Sequence, residues 1–395
     1  MKQAKARAGH GYSFGWQAIG IAGVLLGGAI IAVQAHPAQS PSQTTTSAPP
    51  PTAAEKYKNI QVLKNIPADE LIPSMQFITA ALGVDCNFCH VENQGRLEFD
   101  KDDKKEKKTA REMMQMMFAI NKNNFEGERE VTCNTCHRGS PHPQAIPAIM
   151  TEAPKPEAMA AMHQPEQDMD PAKLPSGAPV MEKYIQAIGG AAALGKVSSR
   201  VEKGNAVMPE GPPIPIDIYT KSPDQRVSVM HMQKGDSTTA YNGHVGWISF
   251  PGRPLREMSP ADQQAAKLDA EAFYPLQLEH EFTELKLDAH TEKVGDRETN
   301  VVLGLSKGEP PVKLYFDKDS GLLLRMVHYA DTAFGFNPTQ VDFADYREVG
   351  GTKTPYRWTI ARPSGSFTIK IDEVKENAPI DDAKFAEPAA PPAPK

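Results

Sequence analysis

The sequence contains little cysteine and no excess of charge of one sign. Only four of its 395 residues are cysteine, and because none precedes Cys86 we expect no lipid-modified cysteine near the N-terminus. The 43 basic and 49 acidic side chains nearly cancel, leaving a formal charge of −6. Since nucleic-acid binding depends on concentrated positive charge, no nucleic-acid partner is expected.

The C-terminal half contains no recognisable catalytic motif. No nucleophile, base and orienting residue occur there at the spacing typical of covalent catalysis. The histidines are scattered among strand-like segments, at His231, His244, His280, His290 and His328. We therefore interpret them as ordinary surface or packed histidines.

Proline is abundant, with 35 residues, and it clusters with small polar residues that cannot bury enough apolar surface to fold. These clusters predict domain boundaries. The predicted order is a signal peptide or membrane anchor at 1–35, a linker at 36–56, a first domain at 57–145, a linker at 146–179, a second domain at 180–377 and a disordered tail at 378–395.

The N-terminal segment has the form of an export signal. Basic residues precede an apolar run at 16–33, and small residues around Ala35 offer a cleavage site. The run is also near the lower length limit for a membrane span, so an uncleaved anchor stays open. We expect an exported, periplasmic protein whose N-terminal segment is either removed or holds it to the inner membrane.

The first domain is predicted to be helical. Leu71, Met75, Ile78 and Leu82 share one helix face, and Gly83 follows as a stop signal. A proline at position 73 predicts a kink or a restart.

A second helix is predicted to begin at the capping box Thr109-Ala-Arg-Glu112, followed by apolar residues at helical spacing. The mixed charges of 101–108, just before it, predict a solvated loop.

The second domain has an antiparallel β pattern. A helix at 180–188 ends at Gly189-Gly190, and a polar helix at 259–272 interrupts the strands. Examples of the predicted strands are 214–220, 226–232, 301–305, 312–316, 322–329, 355–361 and 366–371. This pattern predicts a curved sheet with a few helices on one face.

All four cysteines lie in two copies of one motif. The copies are Cys86-Asn-Phe-Cys89-His90 and Cys133-Asn-Thr-Cys136-His137. C-x-x-C-H is the attachment signature of c-type haem, because two thiols on one turn can add to the two vinyl groups while the histidine reaches the iron. The motifs predict two covalently attached haems, with His90 and His137 as axial ligands.

A four-cysteine zinc site and a pair of disulfides are the alternatives. Zinc ribbons usually separate their cysteine pairs by about 15–20 residues and need no histidine after each pair. Here residues 90–132 separate the pairs, and a histidine follows both. An exported chain could also use four cysteines in disulfides. The repeated histidine favours haem over both.

The sixth iron ligand separates an electron carrier, whose iron is closed, from a protein that binds small molecules at an open iron. Met75 precedes the first motif, and a methionine cluster at 113–117 precedes the second. Methionines on apolar helix faces are often core residues. Their matched placement nevertheless favours Met75 and one residue of the cluster as ligands, with His142 as a weaker alternative.

Four stretches resemble the cytochrome c subunit of photosynthetic reaction centres. They are Asn65-Ile-Pro-Ala-Asp-Glu-Leu-Ile-Pro-Ser-Met75-Gln-Phe, Gly83-Val-Asp-Cys86-Asn-Phe-Cys89-His90, Ala110-Arg-Glu-Met113 with Ala119-Ile-Asn121, and Val131-Thr-Cys133-Asn-Thr-Cys136-His137-Arg138-Gly139. The resemblance covers about 57–145. It implies axial pairs of Met75 with His90 and Met113 with His137. It also implies a place at the outer membrane face, where such a subunit re-reduces the photo-oxidised primary donor.

The chain departs from that family in two ways. The family carries four haems where this sequence has two motifs, and its second half is not a β domain. The second domain instead resembles the half-barrel of bacterial lipoprotein carriers. That likeness rests on its strand number, on Glu182-Lys-Tyr-Ile-Gln-Ala-Ile-Gly-Gly and on Tyr315-Phe-Asp-Lys-Asp-Ser-Gly321-Leu-Leu-Leu-Arg325. It implies an apolar ligand, while a scaffold or docking role is an equal expectation.

Together the patterns predict a multidomain α+β protein: a small helical dihaem cytochrome c domain followed by a curved antiparallel β-sheet domain. The predicted function is single-electron transfer without enzymatic catalysis, to or from a membrane photosynthetic or respiratory complex. The alternatives are a two-haem peroxidase or oxidase with one open iron, and a lipid- or quinone-binding β domain served by the haems.

Overall fold

The computed structural model describes residues 50–143, 173–363 and 365–387. The predicted N-terminal segment 1–35 and most of the linkers lie outside the described residues. We call residues 50–143 the helical part and residues 173–387 the sheet part. Within the described ranges, no helix is both long and apolar enough to cross a membrane.

The helical part contains five α-helices and one small hairpin. The helices are α1 (Ala53–Lys56), α2 (Leu71–Leu82), α3 (Cys86–Cys89), α4 (Lys105–Asn124) and α5 (Cys133–His137), and the hairpin strands are β1 (Val91–Asn93) and β2 (Arg96–Glu98). A 3₁₀ turn, Ala68–Glu70, leads into α2. Pro73 therefore lies in the first turn of α2, where its missing N–H breaks no helical hydrogen bond.

Helix α4 begins at Lys105, before the predicted capping box. The prediction of a helix start at Thr109 is therefore wrong, and the predicted loop over 101–108 is observed only at 101–104. The physical reason is Asp102, whose carboxylate pairs with Lys107 at 3.0 Å and with Arg111 at 2.9 Å. These contacts fix the charged segment and extend the helix by one turn. Hydrogen bonding to Arg111 is the main cause that lowers the pKa of Asp102.

The sheet part is built on thirteen antiparallel strands. The strands are β3 (Ser199–Val207), β4 (Ile214–Lys221), β5 (Gln225–Met232), β6 (Gly235–Tyr241), β7 (Gly246–Ser249), β8 (Arg256–Glu257), β9 (Glu284–Val294), β10 (Arg297–Leu305), β11 (Val312–Asp317), β12 (Leu323–Thr332), β13 (Gly335–Val349), β14 (Thr352–Arg362) and β15 (Gly365–Glu376). The helices are α6 (Ala178–Ala187), α7 (Ala191–Leu194), α8 (Pro260–Glu271) and α9 (Pro275–Glu281).

The chain enters this sheet in the middle and leaves it in the middle. It runs from β3 outward to β8 at one edge, crosses by α8 and α9 to β9 at the other edge, and returns to β15, which pairs with β3. Helix α8 contacts β5, β6 and β7 as well as β12, so the sheet curves around it. The predicted antiparallel sheet with a few helices on one face is confirmed.

Buried apolar side chains fill the inside of this sheet. Leu268, Phe273 and Leu278, from α8, α9 and the turn between them, all belong to the main core. A cavity of about 450 Å³ lies at the edge of this core, against α6 and α9, and its lining includes Glu182, Ile185 and Gln186. The apolar ligand expected from the lipoprotein-carrier resemblance stays a prediction.

The ends of the predicted linkers and tail are ordered. Ala53 is fully buried, Ser176 bridges to Lys286 of β9, and Phe385 packs in a small core with Trp247. In each case an apolar or backbone group within a proline-rich stretch finds a partner, which composition alone does not reveal.

The end of α2 lies against the turn that follows the second cysteine motif. Gly83 ends the helix in the left-handed conformation, with φ +66°, and Gly139 N donates to Ala81 O at 2.8 Å. A Cβ at Gly83 would lie inside van der Waals contact with the carbonyl oxygen of Gly139. Only glycine therefore fits between the two turns.

We expect Gly83→Ala to destabilise the protein more than Gly95→Ala, as measured by the thermal unfolding midpoint of each variant. Gly95 has a similar φ of +72° but nothing near its missing Cβ, so its substitution costs only the backbone strain of about 1–2 kcal/mol. The clash at Gly83 adds roughly 1–3 kcal/mol. Equal losses in the two variants would contradict the close approach to Gly139.

Candidate haem sites

Each cysteine motif forms a single helical turn. Helices α3 and α5 begin after extended residues, Asp85 and Thr132, and the first cysteine of each motif is the first helical residue. Residues three apart on a helix share a side, so both sulfurs of a motif face the same way. This is the arrangement that attachment to two vinyl groups of one porphyrin requires.

All four cysteines carry free thiols. None forms a disulfide, and no three His, Cys, Asp or Glu side chains of the described residues converge as a metal-binding group. Burial raises the pKa of Cys133 to about 11 and also raises that of Cys89. The histidine that follows each cysteine pair therefore remains the feature that favours haem over the zinc and disulfide alternatives.

The ring of His137 is oriented by a backbone carbonyl. Its Nδ1 lies 2.9 Å from Ser140 O, to which it can donate a hydrogen bond. Such a bond fixes the tautomer with the proton on Nδ1 and leaves the lone pair of Nε2 free for a metal. The side chain therefore fits the role of an iron ligand.

The ring of His90 lies in a different environment. It packs edge-on against Phe99, with 5.0 Å between ring centroids, and its Nδ1 is buried with no hydrogen bond of standard geometry among the described residues. Burial, and then the nearby Lys107 cation, lower the pKa of His90. Both effects favour the neutral imidazole, which is the form that binds iron.

Helix α4 divides the methionine cluster into two pairs. Met114 and Met117 are only 9% and 6% exposed and belong to the core of the helical part, whereas Met113 and Met116 are 42% and 49% exposed. Only the exposed pair can reach a cofactor on the surface of the helix. On α2, the half-buried Met75 packs against the edge of the same core.

The helical part exposes an unusual amount of apolar surface. Of the eight exposed large apolar side chains among the described residues, five lie in this smaller part of the chain. They are Ile72, Phe99, Met113, Met116 and Phe125. A porphyrin needs apolar surface of this kind around its ring, so the residues present fit the cofactor that the motifs imply.

The two motifs and the two long helices pack reciprocally. Helix α2 contacts α5, and α4 contacts α3, so each methionine-bearing helix lies beside the other motif in the fold. The spacing of the motifs in the sequence did not indicate this reciprocal packing. It also did not indicate that the Ser140 carbonyl orients His137 or that the Phe99 ring packs against His90.

His142 is exposed in the turn after α5, where its carbonyl accepts a hydrogen bond from Ser140 Oγ at 2.9 Å.

Comparison with known proteins gives relatives for the N-terminal half. The family model described as photosynthetic reaction centre cytochrome C subunit matches residues 15–230. The subunit of that name from Thermochromatium tepidum is 36% identical over 98 residues, covering 24% of this chain and 23% of its own length. The one from Rubrivivax gelatinosus is 33% identical over 118 residues, covering 27% and 31%. Cytochrome c-554 of Chloroflexus aurantiacus is 33% identical over 91 residues, covering 21% of each.

The chain therefore spans less than a third of the length of these curated relatives. Solved structures resemble about half of it. A DUF1329 family protein from Desulfovibrio piger has a TM-score of 0.38 at 14% identity, covering 53% of this chain and 96% of its own. A LolA superfamily protein from Nitrosomonas europaea has a TM-score of 0.38 at 13% identity, covering 54% and 98%.

Proposed function

Because the chain belongs to the family of photosynthetic reaction centre cytochrome c subunits, we propose that it carries two covalently attached haems and transfers single electrons. The observation that supports this most directly is the repeated site. Two C-x-x-C-H turns each present two cysteines on one side and a histidine, and a methionine-bearing helix packs against each turn. When bound, haem supplies a one-electron iron couple.

The proposed roles are assigned residue by residue. Cys86 with Cys89, and Cys133 with Cys136, would hold the cofactors through thioether bonds. His90 and His137 would bind the irons from one side. Met75 and Met113 would supply the second protein ligands. The family resemblance pairs Met75 with His90 and Met113 with His137, whereas in the fold α2 packs against α5 and α4 against α3, so the helix packing alone does not support that pairing. Methionine ligation favours relatively high reduction potentials.

The proposed domains follow from the same assignment. Residues 57–145 form the redox domain and residues 180–377 the β domain, behind an export segment that delivers both to the periplasm. The printed names of the relatives refer to a photosynthetic complex. We propose a membrane-bound redox complex, photosynthetic or respiratory, as the partner that exchanges electrons with this chain.

Replacing both cysteines of one motif by serine should remove one haem and leave the other. We expect the double variants C86S/C89S and C133S/C136S each to retain one haem per chain, because a serine hydroxyl does not add to a vinyl group. Intact-protein mass spectrometry and the haemochrome absorbance per chain measure this number. Asn134→Ala, which changes a residue between two cysteines, is the control and should keep two. A wild-type chain without covalent haem would contradict the proposed function.

The methionine assignment is tested by Met75→Ala, Met113→Ala and Met116→Ala. We expect the first two to lose the sulfur-to-iron absorbance band at one haem, to lower that haem's potential, and to bind carbon monoxide when reduced. Met116 is the matched control because it is exposed on the same helix. The wild-type protein should bind little carbon monoxide, since both irons are closed.

The outcomes separate the competing assignments. A band lost in Met116→Ala and kept in Met113→Ala would move the second ligand to Met116. Strong carbon monoxide binding by the wild-type protein would indicate an open iron, and so a peroxidase or oxidase rather than an electron carrier.

A further inference from the structure

The tip of one β-hairpin in the sheet part leaves the sheet. Strand β12 ends at Thr332 and β13 begins at Gly335, and between them Phe334 points away from the sheet core. Thr332 Oγ1 donates to Gly335 O at 2.6 Å and accepts from Phe334 N at 3.2 Å, which holds the turn in shape. The side chain of Phe334 is only 1% exposed.

The ring of Phe334 packs against residues of the helical part. Its ring stacks against Phe77 of α2 at 6.4 Å and against Phe118 of α4 at 5.9 Å, measured between ring centroids. The buried members of this core are Ala53, Leu63, Leu71, Ile78, Met114, Met117 and Phe334. Six of them come from the helical part, and the largest side chain of the set comes from the sheet part.

Further contacts fix the hairpin against the helical part. Arg129 pairs with Asp331 at 2.5 Å, donates to Thr332 O, and lies 5.3 Å from the ring centroid of Phe336. A Cβ at Gly335 would lie 3.2 Å from the Phe77 ring, so the absence of a side chain there permits the close approach. The contact is thus specific in charge, in hydrogen bonding and in shape.

Phe334 separates the two helices that carry the proposed methionine ligands. Phe77 follows Met75 by two residues on α2, and Phe118 lies on α4 with Met113. A core of seven buried side chains is small for a helical unit of this length, and removing its largest member, Phe334, would leave a cavity between these helices. Helices that close over a cavity move their other side chains as well.

We propose that the β12–β13 hairpin is a structural component of the redox site and that Phe334 is a positioning residue for both methionine ligands. The sheet part then serves as an intramolecular scaffold that sets the iron ligation. This inference rests on the proposed function, since it assumes that Met75 and Met113 bind iron.

The test compares Phe334→Ala with Phe316→Ala in the full-length haem-loaded protein. Phe316 is equally buried, at 1% exposed, but it lies in the main core of the sheet, among residues of the sheet part. Both variants lose the same side-chain volume and should unfold at a lower temperature. Only Phe334→Ala should lose about half or more of the sulfur-to-iron absorbance band at unchanged haem content, with a lower potential for at least one haem.

Two further variants sharpen the comparison. Phe334→Leu keeps most of the apolar volume and should restore the band. Arg129→Gln removes the ion pair with Asp331 while leaving Phe334 in place, and it should cause a smaller loss of the sulfur-to-iron band. If Phe334→Ala does not accumulate, this variant replaces it in the comparison.

The positioning role would be overturned if Phe334→Ala and Arg129→Gln both kept the wild-type band and potentials. If Phe334→Ala does not accumulate, an unchanged band and unchanged potentials in Arg129→Gln alone would overturn it. Either result would leave the proposed function intact. An equal loss of the band in Phe316→Ala would also overturn it, because the effect would then be general destabilisation. A wild-type protein that lacks haem, or whose band persists without Met75 and Met113, would remove the proposed function or its ligands instead.

Discussion

The insertion of one phenylalanine from the sheet into the helices is the contact on which the arrangement of this protein depends. Phe334 is stacked between Phe77 and Phe118, so α2 and α4 meet across a side chain that neither helix supplies. Burial of an aromatic ring removes a large apolar area from water and dominates a small core. The helical part therefore completes its core only against the sheet part. The helical part and the sheet part differ in sequence pattern, yet they share this one core.

The sheet part, in contrast, has a core of its own. Its chain path begins and ends in the middle strands, so the pairing of β15 with β3 joins two meanders into one sheet. The crossing helix α8 fills the curved face between them, and Arg200 of β3 donates to Phe273 O just beyond the end of that helix at 2.7 Å. A sheet filled in this way is rigid, and a rigid element is suited to holding a hairpin tip in a fixed position.

Much of the fold could be predicted from the sequence, because most strands and helices show their hydrophobic periodicity and caps within a short segment. All seven predicted strands occur, and the helix predicted at 259–272 is observed as Pro260–Glu271, with Ser259 Oγ accepting from Asp262 N at 3.0 Å. Strand β13 has a weaker sequence signal than these seven, because Pro338 and several charged residues interrupt its alternation. The start of α4 was misplaced because Asp102 acts through side-chain pairs with Lys107 and Arg111, which no periodicity records.

The candidate sites divide in the same way. The residues that would contact haem can be recognised from the sequence because attachment chemistry fixes their spacing. The two motifs, Cys86 to His90 and Cys133 to His137, are therefore identified without a structure. The groups that orient them are not visible, because a backbone carbonyl such as that of Ser140 can belong to any residue type. The choice within the cluster 113–117 also needed the structure, since helical periodicity places two pairs on two faces and only packing shows which face is the core.

The reciprocal packing adds a constraint on how the two sites can behave. Because α2 contacts α5 while α4 contacts α3, neither methionine-bearing helix serves one motif in isolation. The Gly83 turn lies against Gly139, and the Phe334 ring joins the two helices, so both motifs share one set of packed elements. Packed cores transmit small displacements rather than absorb them. Through these contacts the two motifs belong to one packed structural unit rather than to two independent loops.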